Sequence, residues 1–345
     1  MSNVVKCLVW DLDNTIWSGT LLEKDRCRLK PGIRSILDEL DLRGILQSIA
    51  SANDEDLAVA ALSQKGIAQL FLYPQITWSK KVSCIQTIAR KLNIGLDSMG
   101  FIDDEPYELE QVRQILPSVR IYPAKDYKTL LVRPDFSPLF RTRESSQRRK
   151  MYVQESARSE EQKSYGKSQK EFLNYCRTHM TIREATERDL PRILELMHRT
   201  HQLNSTGKIY SEMEVRSFLI SLKFKVYVVE LKDRFVDYGK IGVAICVRRP
   251  DRWEVFSFLL SCRVLTRGIG YFFLSWLGHQ AYKCGVRELV GTFIKRERNQ
   301  RMQMLYTLSG FRPKKQMDDG SVIFVKKCDG HFHKPDWFTL HSGDQ

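Results

Sequence analysis

The chain has 345 residues, of which 42% are hydrophobic and 28% are charged. This balance is typical of a globular protein and excludes a disordered or collagen-like chain. At roughly 100–200 residues per domain, the length predicts two domains.

The positive charge is unevenly distributed along the chain. Lys and Arg exceed Asp and Glu by 14 overall, yet residues 1–128 carry 16 basic and 17 acidic side chains. The second half therefore carries all of the excess, which favours a phosphorylated metabolite, an acidic protein, nucleic acid or a membrane surface as partner. Solubility alone is the simpler interpretation of the same charge.

Neither a membrane segment nor a secretion signal is predicted. No stretch reaches the roughly 18 uncharged apolar residues of a membrane span, and the start of the sequence lacks the apolar run and cleavage site of a signal peptide. The eight cysteines form no CxxC pair and no zinc-type cluster, so we expect reduced thiols. The sequence thus predicts a cytoplasmic protein without a membrane partner.

Strands and helices are predicted to alternate through residues 4–128, which is typical of a parallel sheet covered by helices on both faces. Apolar runs predict strands at 4–10, 44–50, 99–102 and 119–122. Helical spacing predicts helices at 32–42, 55–65, 81–92 and 105–116.

Residues 142–179 are polar and rich in Arg, Lys, Glu, Gln and Ser, which predicts exposed helices that join two domains. From residue 180 the pattern becomes that of an α+β domain. Its predicted strands are 180–183, 226–231, 240–247, 253–260, 288–293 and 321–325, and its predicted helices are 186–199, 268–282 and 299–308. The predicted division is a first domain (1–130), a helical linker (131–178), a second domain (179–330) and a C-terminal tail (331–345).

Two carboxylates follow the first predicted strand directly, in the sequence Asp11-Leu12-Asp13-Asn14-Thr15. The functional groups of parallel sheets lie at the carboxyl ends of the strands. One carboxylate there can attack phosphorus as a nucleophile, and the other can donate and recover a proton. This segment therefore predicts phosphoryl chemistry.

Three further elements fall where such a site needs them. Ser51 ends the second strand and can hydrogen-bond a phosphate, and either Lys80 or Lys81 begins a helix and can offset the negative charge. Asp103-Asp104 follow another strand and can hold Mg²⁺ together with the first carboxylate. Acidic pairs often lie in ordinary loops or cap helices, but four elements in this order predict a phosphatase site.

In these residues the chain resembles the haloacid dehalogenase superfamily of phosphatases, over about residues 4–125. The resemblance implies a haloacid dehalogenase-like Rossmannoid parallel sheet in an α/β protein, with Asp11 as nucleophile and Asp13 as acid and base. The segment between residues 15 and 31 has room only for a small flap. Such an open site suits a bulky or protein-tethered substrate.

The same resemblance implies two sets of binding residues. The phosphate-binding residues would be Ser51, Asn53 and Lys81. The Mg²⁺ ligands would be Asp11, the carbonyl of Asp13, and Asp103.

The second domain resembles the GNAT-like α+β fold of N-acetyltransferases. In that fold a glycine-rich loop opens a helix and holds the pyrophosphate of coenzyme A through backbone amides and the helix dipole. Arg267-Gly268-Ile269-Gly270 occupies that place here, and Phe272 stands where a further glycine is common. Coenzyme A and another phosphopantetheine thiol remain alternative ligands.

Several residues of this domain are candidates for acyl or pantetheine binding, each with a purely structural role as the alternative. They are Arg263, Arg267, Gly268, Gly270, Asn299 and Tyr306.

Cys262 ends the strand before the glycine-rich loop, where the thioester lies in this fold. Arg263 and a helix N-terminus nearby are expected to stabilise its thiolate and make it more nucleophilic. It could accept an acyl group and pass it to another thiol. A small buried residue at a strand end is the alternative interpretation.

Taken together, the two halves resemble FkbH-like proteins over nearly the whole chain. The similar segments include Thr77-Trp78-Ser79-Lys80-Lys81, Phe101-Ile102-Asp103-Asp104-Glu105-Pro106, His201-Gln202-Leu203-Asn204 and Ser261-Cys262-Arg263-Val264-Leu265. The resemblance implies a bifunctional glyceryltransferase and phosphatase. Such an enzyme takes the glyceryl group of D-1,3-bisphosphoglycerate, removes phosphate and loads the group as a thioester on an acyl carrier protein for polyketide biosynthesis, as methoxymalonyl or tetronate units.

A cysteine-bound glyceryl intermediate belongs to this expectation, with Mg²⁺ as cofactor. Cys262 is our first choice for the carrier, before Cys7 in a predicted strand and Cys27 in the flap. The basic second half suits a phosphorylated donor and an acidic carrier protein.

Two other functions fit parts of the sequence. The first is a Mg²⁺-dependent phosphatase fused to a coenzyme A-dependent N-acetyltransferase. The second is a phosphatase fused to a non-catalytic basic binding module, for nucleic acid or another acidic surface. The scattered basic residues and the lack of an aromatic-plus-basic recognition motif disfavour nucleic acid as a partner.

Overall fold

The computed structural model describes residues 4–23, 27–166, 168–332 and 334–343. The chain divides into two compact units, residues 1–156 and 157–345. The predicted linker 131–178 is therefore shared between the units. Within the described residues, every helix is too short or too polar to cross a bilayer.

The first unit contains seven strands and five helices among its described residues, and a sixth helix continues into the second unit. The strands are β1 (Cys7–Trp10), β2 (Trp17–Ser18), β3 (Arg28–Leu29), β4 (Leu46–Ser51), β5 (Gln75–Ile76), β6 (Met99–Asp103) and β7 (Arg120–Pro123). The helices are α1 (Ile33–Leu42), α2 (Glu55–Gln64), α3 (Lys81–Leu92), α4 (Pro106–Ile115), α5 (Arg143–Ser146) and α6 (Arg148–Ser164).

Five strands form a parallel sheet in the order β5-β4-β1-β6-β7, with β1 at its centre. All four residues of β1 are buried. Leu8 and Trp10 pack into the core on one face, and Cys7 and Val9 pack into the core on the other. A strand that is apolar on both faces is typical of a parallel sheet covered by helices on both sides.

The first unit has a small flap next to the end of β1. β2 and β3 pair as a two-stranded antiparallel ribbon, with Trp17 opposite Leu29. Trp17 is fully buried and packs in the same core as Trp10. This ribbon matches the small flap expected from the short segment.

The second unit consists of a large mixed sheet with helices against it. Its helices are α7 (Gln169–Cys176), α8 (Leu190–Arg199), α9 (Glu212–Ile220), α10 (Ile269–Lys283) and α11 (Gln300–Leu308). Its strands are β8 (Thr178–Glu184), β9 (Phe224–Lys232), β10 (Asp237–Arg248), β11 (Trp253–Leu260), β12 (Glu288–Ile294), β13 (Arg312–Gln316), β14 (Ser321–Lys327) and β15 (Phe338–Gly343).

The strand order of this sheet is β13-β14-β12-β11-β10-β9-β8-β15. Neighbouring strands are antiparallel except for β11 with β12 and β15 with β8. β11 and β12 pair only through Trp253–Val255 and Leu289–Gly291, near their first residues. Beyond these residues the two strands separate and leave a fork that opens toward their carboxyl ends.

The fold class predicted from the sequence is confirmed. The first unit is an α/β domain with a parallel sheet and a small flap, and the second is an α+β domain built on a mixed sheet. In the second unit, α9, β13 and β15 were not predicted, and in the first unit the short strands β2, β3 and β5 were not predicted. β15 lies within the predicted C-terminal tail, but it extends the sheet in parallel register with β8, from Phe338 opposite Thr178 to Gly343 opposite Arg183.

The turn between α1 and β4 provides a test of how the first unit packs. Gly44 has φ +68°, and a Cβ there would lie 2.6 Å from the backbone oxygen of Ser145 in α5. Gly32 has φ +78°, but a Cβ there would have nothing within 4 Å. The two glycines therefore share the left-handed backbone and differ in the space around it.

We expect Gly44→Ala to lower the free energy of unfolding of the first unit by about 2–5 kcal/mol, because strain of about 1–2 kcal/mol adds to overpacking of about 1–3 kcal/mol. For Gly32→Ala, we expect the free energy of unfolding to fall only by the strain of the left-handed backbone, about 1–2 kcal/mol. Urea denaturation of the two variants measures the difference. Equal losses would show that α5 does not pack against this turn in solution.

Candidate active sites of the two units

The two central strands of the first unit bring their acidic residues together. β1 and β6 run in parallel with Trp10 opposite Ile102, and the Asp11 N–H donates to the Ile102 carbonyl at 3.0 Å. Asp11 and Asp103 thus follow adjacent strands at the same edge of the sheet. Their exposures are only 6% and 2%, so two carboxylates are buried side by side.

Lys81 lies against both carboxylates. Its Nζ contacts Asp11 Oδ1, lies 3.2 Å from Asp103 Oδ2 and donates to the Ala50 carbonyl at 2.8 Å. Lys81 is the first residue of α3 and is buried, whereas Lys80 immediately before it is exposed. The structure thereby distinguishes two lysines that the sequence left open as alternatives.

Burial and charge oppose each other within this cluster. Burial raises the pKa of Asp11, and the Lys81 ammonium only partly counteracts it while Asp103 adds to it. Burial would lower the pKa of Lys81, but Asp11 and Asp103 outweigh burial and hold that pKa above its usual value. Lys81 is therefore positively charged, and one ammonium group faces two carboxylates.

A metal ion fits the remaining negative charge. Oxygens of Asp11, Asp103 and Asp104 lie within 4.8 Å of one another. Asp103 Oδ1 accepts the Glu105 N–H at 2.9 Å, but the buried Oδ2 accepts no hydrogen bond of normal geometry despite the nearby ammonium. Carboxylate oxygens are the ligands that Mg²⁺ prefers, so this donor set suits the predicted cofactor.

Asp104 joins this group of oxygens, as the acidic pair after the strand indicated, whereas the family resemblance implied only Asp103 of the two as a ligand. It is exposed, and one of its carboxylate oxygens accepts the Thr15 hydroxyl at 3.3 Å. The Asp13 side chain lies outside the group, in agreement with an expected role for its carbonyl rather than its carboxylate.

Asp13 is held by donors from the flap and from the end of β4. Its Oδ1 accepts the Trp17 indole N–H at 2.7 Å and the Leu21 N–H at 3.2 Å. Its Oδ2 accepts the Asn53 amide at 2.9 Å. The roles of Trp17 and Leu21 were not predicted. The flap therefore orients the carboxylate that was expected to transfer protons.

The predicted phosphate-binding residues surround the same carboxylates. The buried Ser51 hydroxyl hydrogen-bonds Asp11 and thereby lowers its pKa. Asn53 is also buried, and its amide is used by Asp13 rather than left free. Ser51 and Lys81 therefore lie beside Asp11, the predicted nucleophile, and Asn53 lies beside Asp13, the predicted proton donor.

Two exposed aromatic side chains lie close in sequence to residues of this site. Trp78 lies three residues before Lys81 and is 70% exposed, and Tyr107 lies four residues after Asp103 and is 68% exposed.

In the second unit, Cys262 follows β11 at the open end of the fork. It begins a short 3₁₀ helix, Cys262–Arg267, and is half-buried. The Arg263 guanidinium donates to the Ser261 hydroxyl at 3.3 Å, next to the thiol. The structure thus puts this cysteine at the carboxyl end of β11, as the sequence indicated.

The two other carrier candidates have different surroundings. Cys7 is fully buried in β1, and burial raises the pKa of its thiol far above the usual range. Cys27 is half-buried and packs against the core beneath the flap. Cys262 remains the first choice among the three because it is partly accessible and lies at the end of its strand.

The fork between β11 and β12 is filled by the chain itself. The Ser205 N–H donates to the Phe258 carbonyl at 2.9 Å, and the Leu260 N–H donates to the Leu203 carbonyl at 2.8 Å. On the other side, the Ile294 N–H donates to the Ser205 carbonyl at 2.8 Å. We call residues 203–206 the fork segment. It satisfies the facing edges of both strands, so an extended ligand cannot pair with them there.

Asn299 fixes the fork segment to β12. Its amide donates to the Asn204 carbonyl at 3.0 Å and the Ile294 carbonyl at 2.9 Å, and its Oδ1 accepts the Arg296 N–H at 2.7 Å. Asn299 is 1% exposed. Its side chain therefore has a complete structural role.

Tyr306 lies deeper in the same fork. It is fully buried and packs on Gly291, where a Cβ would lie 3.0 Å from the tyrosine ring. Burial raises the pKa of its phenol, and the Ser205 hydroxyl opposes this shift. The phenol therefore faces the fork segment.

The glycine-rich loop is fixed by packing. Gly268 has φ +68° at the start of α10, and a Cβ at Gly270 would lie 2.7 Å from a methyl group of Leu305. The Phe272 ring packs 5.0 Å from the Phe338 ring and 5.9 Å from the Trp337 ring, measured between centroids. An aromatic cluster that includes the first residue of β15 therefore lies beside this loop.

Arg267 is buried and fully engaged. Its guanidinium donates to Asp233 Oδ2 at 2.7 Å, contacts the Tyr238 hydroxyl and lies 4.5 Å from the centre of the Tyr238 ring. This ion pair anchors the end of the 3₁₀ helix that begins at Cys262.

Comparison with known proteins gives matches only among solved structures. No protein family profile and no curated protein sequence matches the chain. The N-terminal part of a Bacteroides fragilis protein, which contains a phosphatase domain complexed with Mg, is 30% identical with a TM-score of 0.34. That match covers 36% of this chain and 38% of the other, so this chain spans well under half the length of that structure.

Other similar structures are acetyltransferases. The ribosomal-protein-S18-alanine N-acetyltransferase of Escherichia coli is 20% identical over 43% of this chain and 94% of its own, with a TM-score of 0.35. The GNAT domain of S. lividans PAT is 17% identical over 42% and 89%, with a TM-score of 0.35. Because these TM-scores lie below 0.5, we base the proposals below on the residues of the chain itself.

The metal assignment is testable through Asp103. We expect Asp103→Asn to weaken Mg²⁺ binding at least about tenfold, since it removes a charged ligand. Without metal, the variant should be no less stable than the wild type, because the repulsion between two buried carboxylates is relieved. Calorimetric titration with Mg²⁺ and a thermal melt in EDTA measure both. Asp56→Asn on exposed α2 is the charge-matched control, and unchanged Mg²⁺ affinity in Asp103→Asn would refute the assignment.

Asn299 tests whether the fork segment is structural. We expect Asn299→Ala to lower the free energy of unfolding of the second unit by about 2–4 kcal/mol, because it leaves buried carbonyls without donors at about 1–3 kcal/mol each. Gln303→Ala on the exposed face of α11 is the control, and urea denaturation is the measurement. A variant with normal stability but impaired acyl transfer would instead identify Asn299 as a ligand contact.

Proposed function

We propose that the chain transfers an acyl group from a phosphorylated donor to a thiol and removes phosphate from the same substrate. The observation that carries this proposal is the cluster of Asp11, Lys81 and Asp103, in which one buried ammonium group lies against two buried carboxylates. This cluster is suited to a phosphoryl group and a hard cation.

In the phosphatase step, Asp11 attacks phosphorus and the bond between phosphorus and the substrate oxygen breaks. Asp13 donates a proton to the departing oxygen. Water then attacks the aspartyl-phosphate, Asp13 takes the water proton, and inorganic phosphate leaves. The Ser51 hydroxyl and the Lys81 ammonium, both beside Asp11, would hold the phosphate oxygens.

Mg²⁺ would be held by Asp11, Asp103 and the Asp13 carbonyl, with Asp104 close to the same oxygens. When bound, it would neutralise the charge that develops on phosphate oxygens. The chain's own contribution is to orient Asp13, through Trp17 and Asn53, toward the oxygen that needs a proton.

In the acyl step, the Cys262 sulfur attacks the carbonyl carbon of an acyl phosphate as its thiol gives up its proton, the bond between carbon and the phosphate oxygen breaks, and inorganic phosphate leaves carrying that proton. An incoming thiol then attacks the resulting thioester and returns the Cys262 thiol. The acyl phosphate is already activated, so this step needs orientation more than acid catalysis. The filled fork supports attack at its mouth, beside Cys262, because the strand edges deeper inside are occupied.

We infer that the donor is D-1,3-bisphosphoglycerate and the acceptor is the phosphopantetheine thiol of an acyl carrier protein, in polyketide biosynthesis. The FkbH-like motifs in both units support this choice. So do Lys295, Arg296 and Arg298, which follow β12 at the open end of the fork, because a basic surface favours an acidic carrier protein.

An acetyl transfer from coenzyme A is the competing function, favoured by the sheet order of the second unit and by Gly268 at the start of α10. The filled fork and the aromatic cluster around Phe272 weigh against it. Binding of acetyl-coenzyme A would support this competitor, and strong salt-dependent binding of generic nucleic acid would support a non-catalytic basic module.

The decisive experiment is an intact mass spectrum of the full chain with Mg²⁺ and freshly generated 1,3-bisphosphoglycerate. We expect a gain of one glyceryl group that is labile to hydroxylamine and maps to the Cys262 peptide. A gain that retains phosphate would put acyl transfer before dephosphorylation. Cys262→Ser should abolish the adduct, and Asp11→Asn should abolish phosphate release from C3 while the fold is retained.

Cys284→Ser is the matched control, because Cys284 is the exposed cysteine among the described residues and should not affect loading. Loading of carrier protein by Cys262→Ser at the wild-type rate would refute the thioester assignment. Release of the C3 phosphate by Asp11→Asn at the wild-type rate would refute the phosphatase assignment, whereas release of the acyl phosphate at C1 should continue in this variant.

A further inference from the structure

The second unit contains a cavity that is separate from the residues discussed above as its candidate acyl site. Its volume is about 470 Å³, and its lining residues are Arg177, His179, Lys232, Asp233 and Arg234. We call it the basic cleft. We propose that the basic cleft binds a small molecule carrying a phosphate or pyrophosphate group, and that it does so without a metal. This proposal does not rest on the function proposed above.

Two strands and a helix end bring these residues together. His179 of β8 and Lys232 of β9 are directly opposite each other in the sheet. The Arg234 N–H, just after β9, donates to the carbonyl of Cys176 at the end of α7 at 2.9 Å. Arg177 follows α7 directly and is exposed. The four basic residues therefore come from two segments of the chain, 177–179 and 232–234, which converge on one concavity.

Arg177 occupies this place at a conformational cost. Its backbone is left-handed, with φ 48° and ψ 56°, in the position that ends α7. Glycine or asparagine usually occupies such a position, because a larger side chain costs about 1–2 kcal/mol there. A long cationic side chain at a site that glycine would fill more cheaply indicates a role for its charge.

The cations of the basic cleft have no anionic partner among the described residues. No described residue accepts a side-chain hydrogen bond or ion pair from Arg177, Lys232 or Arg234. The Arg234 guanidinium stacks 4.3 Å from the centre of the Tyr175 ring. That contact holds the guanidinium plane and leaves its N–H groups available.

Asp233 does not neutralise the basic cleft, although it contributes to the lining. Its Oδ1 accepts the N–H groups of Phe235 at 2.9 Å and Val236 at 2.8 Å. Its Oδ2 lies 3.2 Å from Arg158 Nε and 2.7 Å from Arg267 Nη1. Both oxygens of Asp233 are thus engaged, by two backbone N–H groups and by two buried guanidinium groups.

The imidazole of His179 adds a donor on the same wall. Its ring stacks against that of His341 in β15, with centroids 5.9 Å apart and planes 9° from parallel. β15, which the sequence analysis did not predict, therefore packs against the residue of β8 that lines the basic cleft.

The shape and the donors select the ligand class. Guanidinium groups present paired N–H donors that match phosphate oxygens, and several of them around one concavity suit a compact anion of high charge. A phosphate or pyrophosphate group satisfies both the charge and the space.

The test is protection of arginines from phenylglyoxal, mapped by mass spectrometry on the full chain in EDTA. Without Mg²⁺, the carboxylates of the first unit repel anions, and mapping identifies the protected residues. We expect inorganic pyrophosphate to protect Arg177 and Arg234 but not the exposed Arg249. Equal protection by sodium chloride at the same ionic strength, or protection by heparin alone, would overturn the proposal in favour of a general polyanion surface.

Arg177→Gly separates a binding role from a structural one. It removes a cation and relieves the left-handed backbone, so we expect a melting temperature that is no lower than that of the wild type. Affinity for pyrophosphate should fall at least about tenfold, which corresponds to one charge-assisted hydrogen bond of about 1.5–3 kcal/mol. Arg249→Ala, which removes an exposed arginine paired with Glu254, is the charge-matched control. Equal pyrophosphate affinity in Arg177→Gly and the control would refute the site.

Discussion

The first unit depends on one electrostatic constraint: two carboxylates, Asp11 and Asp103, are buried next to each other. A buried charge is tolerated only when it is paired and hydrogen-bonded. Lys81 supplies one positive charge for both, and the Asp103 Oδ2 atom still accepts no regular hydrogen bond. The protein alone therefore leaves negative charge uncompensated at the end of its central strand, and a hard cation is the chemistry that completes it.

In the second unit the corresponding constraint concerns the backbone. Where β11 and β12 separate, each strand exposes N–H and C=O groups in the interior, and such groups must find partners. The fork segment provides them on both sides, and Asn299 fixes it with bonds to Asn204 and Ile294. Gly291 leaves the space that Tyr306 needs beneath it. Asn299 and Tyr306, which were expected to contact an acyl group, thus have structural roles in filling this fork.

The sequence predicted what depends on local pattern. Acidic residues directly after apolar runs located Asp11 and Asp103, because the carboxyl ends of parallel strands share one edge. The sequence could not distinguish Lys80 from Lys81, because both lie at the start of α3 and only the orientation of the helix determines which side chain is buried. The fork segment has no periodicity and is fixed only by strands more than fifty residues away, so no local signal predicted it. β15 was not predicted because its partner in the sheet, β8, lies about 160 residues earlier in the sequence, so no local pattern indicates the pairing.

Under the two proposals, the two units would bind anions by opposite means. In the first, a phosphate must approach carboxylates, so its binding depends on Lys81 and on a cation held between acidic residues. In the basic cleft, the cations are already present and Asp233 is occupied by Arg158 and Arg267, so an anion needs no metal. Phosphate chemistry requires the first arrangement, because a nucleophilic carboxylate must reach phosphorus, whereas simple retention of a phosphorylated molecule requires only the second. A chain that contains both arrangements can hold a phosphorylated ligand at one place and break its phosphate bond at another.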